Sequence, residues 1–188
     1  MIAADIDVHQ KGLQQSLART GLGAKYFTQS LVEYGEVGLV LKTWLTSPDG
    51  LPEIKAGKGR AIFGTPVRTH DLFMVLARAV HMCGVRSRVI TLPSLIANVT
   101  ADATDDALDQ AQAVFVHPFY RNKYAEPPFP SAYHRLAVEG FLTEWLDDGR
   151  AIFTCADEPL ETTALWWSEP FVERLMTHNM SIEVKEVE

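Results

Sequence analysis

The sequence predicts an α/β domain, a three-layer sandwich in which a mostly parallel sheet of about five strands is covered by helices on both faces. Two observations carry this. Between residues 60 and 187, short strand-like runs alternate with longer segments of helical periodicity. The run Ala113 to Val116 is apolar throughout, as expected of a strand buried on both faces. The length of 188 residues suits one domain with a full core, here with an N-terminal arm.

Residues 1–50 read as a helical arm packing on the core, and residues 51–188 as the α/β domain itself. In the arm, a helix around Lys11 to Arg19 is broken by Thr20-Gly21-Leu22-Gly23. A second helix over Ser30 to Trp44 places Leu31, Tyr34, Val37, Leu41 and Trp44 on one face. A turn at Thr46 to Gly50 and a loop at Ala56 to Gly59 lead to the first core strand, Arg60 to Phe63. A tight loop, Gly64 to His70, follows. An apolar helix then starts near Asp71 and stops at Gly84, with Leu72, Val75, Leu76 and Ala79 on one face.

Arg88 to Leu92 is the second strand, and Pro93-Ser94 opens the next helix. The acidic stretch Ala101 to Gln112 lacks the glycine turn and terminal Glu of a calcium loop, so it reads as a solvated helix start and face. The third strand ends in His117-Pro118, and Arg121 to Pro130 is a loop. An amphipathic helix over Ala132 to Leu146 is closed by Asp147-Asp148-Gly149. The fourth strand is Arg150 to Thr154. Pro159 to His178 reads as helix, and Ser181 to Val187 alternates as a last strand.

Charge narrows the function. Affinity for nucleic acid comes largely from neutralising phosphates. With 17 basic and 24 acidic residues, a net charge of −7, the chain has no global attraction to DNA, and such binding is expected to be weak and local. The only basic-aromatic cluster is Tyr120 to Tyr124, where Arg121, Lys123 and Tyr124 suit a single strand or a partner loop as well as a plain solvated loop. No apolar run reaches membrane length, and there is no basic-then-apolar leader, so a cytoplasmic protein is expected. Cys83 and Cys155 lack metal-ligand spacing and read as reduced core thiols.

The order strand, loop, helix from residue 60 onward is the frame of a P-loop, G-x-x-x-x-G-K-[ST]. There glycines turn backbone N–H groups onto phosphates, the lysine pairs the terminal phosphates, and the hydroxyl holds Mg²⁺. Gly64 matches the first glycine, and Thr65, Pro66, Val67 and Arg68 follow it. Thr69 then stands at the second glycine, His70 at the lysine and Asp71 at the hydroxyl. A one-residue gap would instead place Arg68-Thr69 opposite the Lys-Ser/Thr pair. Pro66 removes one donor outright. Asp71, placed in the first turn of the helix, is expected to cap it as an internal anion, with Arg68 or His70 as its nearest cation.

His70 and His117 both end neighbouring strands or the loops after them, so the two are expected to lie close together. With Asp71 they admit a two-His-one-carboxylate metal site. The preferred alternative is that they fill a shrunken cleft, with no metal and no cofactor bound.

These signals, at these distances, resemble the AAA+ domain of bacterial helicase loaders of the DnaC/DnaI type and the related IstB-type ATPases. The resemblance runs from about residue 19 to the C-terminus. Arg19 to Phe27 looks like the segment before the P-loop strand, and Ala61 to Val80 like that strand and its helix. His117 and Pro118 lie where the Walker B acids should be, and Ala156 or Asp157 where sensor 1 presents an amide. Arg174 lies on the helix that carries an interface arginine in the family. Walker B acids coordinate Mg²⁺ and help orient the attacking water; His117 and Pro118 do neither. The resemblance therefore implies a catalytically inactive protein that binds a replicative helicase or its loader as adaptor, loader or inhibitor. Two alternatives stand beside it: an active but atypical ATP-binding loader or DNA-dependent ATPase, and a scaffold protein unrelated to replication.

Overall fold

The computed structural model describes residues 2–101, 105–120 and 126–185, with the backbone alone at 2–10, 164 and 165. Five strands form one sheet: β1 (Gly59–Gly64), β2 (Ser87–Thr91), β3 (Ala113–Tyr120), β4 (Ala151–Ala156) and β5 (Asn179–Val184). Their order is β2-β3-β4-β1-β5, and every neighbouring pair is parallel. Parallel neighbours need crossovers, which helices supply on both faces.

The two faces of each strand feed two cores, because successive side chains point to opposite sides. Ile62, Phe115 and Phe153 join one apolar cluster, with the Phe115 and Phe153 rings stacked at 4.2 Å. Helices α1 (Ile2–Arg19), α2 (Gly35–Thr46) and α4 (Pro66–Met82) cover that side. Ala61, Val114, Val116 and Ile152 face the other cluster, under α5 (Leu92–Thr100), α7 (Ala132–Asp147) and α8 (Glu169–His178). The predicted three-layer sandwich is the observed one.

The arm is welded to this core. Leu17, Leu22, Tyr26, Leu31, Leu41 and Leu45 are all buried in the first cluster. A short helix, α3 (Gly50–Lys55), fills a stretch for which the sequence predicted no element. Its Glu53 accepts from Trp44 Nε1 and from the buried Arg60 guanidinium, both at 2.8 Å, which ties α2 to β1.

Several boundaries differ from expectation. Residues 31–34 form a 3-10 turn before α2, because Ser30 and Glu33 make a reciprocal capping box and Gly35 adopts φ 67°. Among the described residues the acidic stretch holds one turn of α-helix, α6 (Asp106–Asp109), N-capped by Asp105; Asp102 lies outside the described residues. Residues 160–165 are a separate 3-10 turn, and Pro170 near the N-terminus of α8 marks the true start of that helix. β3 does not stop at His117-Pro118: it continues to Tyr120, with a register shift against β4 between Val116 and Tyr120. A proline is tolerated at such an irregularity, where a ladder hydrogen bond is already lost.

Candidate functional site

The largest departure lies where the phosphate loop was expected. β1 ends at Gly64, whose φ of 133° only glycine adopts readily, and a Cβ there would lie 2.2 Å from the Val184 carbonyl oxygen of β5. α4 begins at Pro66, so Thr65 alone separates strand from helix. The segment predicted as a loop, Gly64 to His70, is therefore mostly the opening of α4. The physical reason is legible afterwards: proline at the first helical position is pre-set for a helix start, and residues 65–71 contain no glycine to hold a loop open. The Thr69 amide already donates to Thr65 O at 2.9 Å, and Pro66 has no N–H. That leaves the amides of Val67 and Arg68 as the first-turn donors outside the ladder. The Thr69 side chain is fully buried, and its hydroxyl has no partner.

Asp71 is consequently in the second turn of α4, too far along to cap the N-terminus, and the capping expectation is overturned. Its Oδ1 accepts from Tyr26 Oη at 2.6 Å and from Lys25 Nζ at 3.1 Å. Its partner cation is Lys25, not Arg68 or His70. Burial alone would raise the Asp71 pKa, but the hydrogen bonds from Tyr26 and Lys25 outweigh it and hold the carboxyl below its ordinary value. Lys25 and Tyr26 come from a 3-10 turn (Ala24–Tyr26) after the Gly21 and Gly23 break. Arg78 of α4 fixes that segment by donating to Phe27 O at 2.7 Å and Gln29 O at 3.0 Å. Neither Lys25 nor Tyr26 was singled out from sequence. The available signal was an adjacent cation and aromatic just after a glycine break, facing a helix with an apolar-side aspartate.

His70 and His117 do meet, with ring centroids 4.9 Å apart edge to face. Tyr26 reaches His70 from one side at 6.4 Å, and Phe73 reaches His117 at 6.3 Å. Burial first, and the neighbouring His70 second, lower the His117 pKa to about 4. Burial lowers that of His70 as well, against the pull of Asp71. Both rings are thus neutral at physiological pH. Asp71 is engaged with Lys25 and Tyr26, and among the described residues no three His, Cys, Asp or Glu side chains are grouped so as to hold a metal ion.

Ala156 ends β4, and the Asp157 amide donates to Tyr120 O at 3.1 Å. Burial, assisted by the Asp157 charge, pushes the Cys155 thiol up to about 12. Arg174 lies on α8, away from these strand ends, and bonds Asp147 of α7. Arg121, Lys123 and Tyr124 lie outside the described residues. The structure thus brings together His70, Asp71 and His117, adds Lys25 and Tyr26, and sets Arg174 apart.

No helix among the described residues is long and apolar enough to cross a membrane. The sequence matches no protein-family model and no curated protein. Solved structures do match in fold. The chain is similar to the DnaC helicase loader at 14% identity and TM-score 0.62, covering 87% of this chain and 100% of that one. DnaI matches at 15% identity and TM-score 0.61, over 88% of this chain and 93% of that one. AMPPCP-bound DnaA from Aquifex aeolicus matches at 12% identity and TM-score 0.59, over 87% of this chain. The chain corresponds to about half of that DnaA structure (51%). The fold is therefore that of a DnaC-like AAA+ domain of the P-loop class, built here with one residue between its first core strand and the helix that follows.

Proposed function

We propose that this protein is a non-hydrolysing AAA+-like partner of the replication machinery, binding a replicative helicase or its loader as an adaptor or inhibitor. The observation that carries the first half is the single-residue link at Thr65. A phosphate cradle needs several backbone donors converging from a loop; here the helix has consumed that loop, and Pro66 removes one of the donors that remain. His70 occupies the lysine position as a neutral ring. His117 occupies a Walker B position without a carboxylate. Support for the second half is the shared fold with DnaC, a helicase loader, and with DnaI. A domain that keeps this shape without turnover is suited to occupying a partner's surface rather than cycling on and off it.

Two measurements test the two halves separately. Millimolar ATP with Mg²⁺ is expected to leave the melting temperature of the purified protein unchanged; a clear upward shift, or turnover lost on substituting His70, overturns the inactive reading. Size-exclusion chromatography with the purified replicative helicase and its loader from the same cell is expected to show co-elution with one of them in the absence of nucleotide. No association with either overturns the partner.

A further inference from the structure

α7 is apolar on two sides. Val138, Leu142, Trp145 and Leu146 are buried against the sheet. On the opposite side Tyr133 and Leu136 are 65% and 59% exposed. They begin a stripe, Tyr133, Leu136, Gly140 and Thr143, spaced three, four and three residues apart, which is the spacing of a helix-packing seam. From Leu136 onward the stripe borders a groove of about 500 Å³ between α7 and α8, where Glu139, Glu144 and Arg174 line it beside Leu136, Gly140 and Phe171. The groove is held in shape by Glu139, which accepts from the Ser168 amide at 2.6 Å and from its hydroxyl at 2.9 Å.

Gly140 stands in the middle of this stripe and of α7. A Cβ there would meet nothing within 4 Å. Glycine in a helix interior is a poorer helix former than alanine, and no contact among the described residues requires it. What a missing side chain does supply is room for another helix axis to approach to about 8 Å.

The charges around the groove select the occupant. α7 and α8 together carry the carboxylates Glu139, Glu144, Asp147, Glu169 and Glu173 against the guanidiniums Arg135 and Arg174. Both guanidiniums are already paired within the chain, Arg135 with Glu139 and Arg174 with Asp147. Of the carboxylates that line the groove, Glu139 is engaged and Glu144 is exposed, while Glu169 and Glu173 stand exposed on α8 outside the lining and add to the negative field on this side.

We propose that the α7–α8 groove is a docking site for a basic amphipathic helix of a partner protein, laid along Tyr133, Leu136, Gly140 and Thr143 with its cations over Glu144. This surface is separate from the His70–His117 cleft, and the inference does not depend on whether nucleotide binds.

The test uses the full chain and a fluorescein-labelled 18-residue helical peptide with leucines at seam positions and lysines flanking them. A second peptide carries glutamates in place of the lysines. Fluorescence anisotropy is expected to show binding of the lysine peptide only. Gly140→Gln fills the groove with a good helix former, so the variant is expected to melt no lower than wild type while binding about tenfold or more weakly. Glu144→Lys is expected to weaken binding in the same direction. The proposal is overturned if the lysine peptide does not bind, if Gly140→Gln binds it as well as wild type, or if the glutamate peptide binds equally. It is also overturned if light scattering shows a wild-type dimer that Gly140→Gln dissolves, since a second copy would then own the groove.

Discussion

The imidazole of His117, lodged between His70 and Phe73, takes up a proton in the folded protein only near pH 4, whereas in the unfolded chain it does so near 6.5. Between those values the unfolded state binds more protons, so stability is expected to fall as the pH is lowered from 6.5 towards 4. A shift of this size corresponds to about 3 kcal/mol once the group is fully protonated. Urea midpoints measured across that range are expected to decline in wild type and to decline less in His117→Phe, which keeps a ring but cannot be protonated. Equal slopes in the two proteins would remove His117 as the cause. At the neighbouring contact, Tyr26→Phe removes the donor at 2.6 Å from Asp71 and leaves the carboxylate with Lys25 alone. The expected loss is about 1–2 kcal/mol by equilibrium denaturation. A double-mutant cycle with Asp71→Asn is expected to show that most of it belongs to this pair.

At the scale of the element, the joint between β1 and β5 depends on Gly64. Any Cβ at that position meets the Val184 carbonyl at 2.2 Å and a φ of 133°. Gly64→Ala is therefore expected to destabilise the protein by more than about 2 kcal/mol, seen as a lowered denaturant midpoint. Elements with strong local patterns could be read from the sequence: the buried runs of β1 to β4, the face of α4, and α7 between its polar ends. The proximity of His70 and His117 also followed, although the neighbouring strands it was argued from are not neighbours: β4 lies between β1 and β3, and His70 reaches His117 from the start of α4. What could not be read was where a template and local chemistry compete. The P-loop frame suggested a loop up to His70, while Thr65-Pro66 is itself a helix start, and the local chemistry prevailed. Pro118 read as a strand terminator, yet β3 continues because its pairing with β4 slips at that point. The Lys25–Tyr26–Asp71 contact spans more than forty residues and has no local signature at all.

In the molecule as a whole, one edge of the sheet is closed off. The β2 edge is covered by the arm: the Val89 amide donates to Thr20 O at 2.6 Å, and Arg88 bonds Arg19 O while also pairing with Asp105. Deleting residues 1–22 is expected to remove the buried Leu17 and Leu22, lower the melting temperature, and leave an uncovered strand edge that promotes association. Light scattering would detect that association, and a monomer of unchanged melting temperature would contradict it. The one-residue link at Thr65 also bears on the timing of motion. A glycine-rich loop between a strand and a helix exchanges its amide hydrogens quickly until a ligand quiets it. Here the Thr69 amide is already locked to Thr65 O at 2.9 Å, and the helix ladder continues from it without a break. Deuterium uptake from Thr69 onward should thus be slow from the outset and should not change when ATP is added, so that the part of this fold able to act as a clock has become a stationary joint.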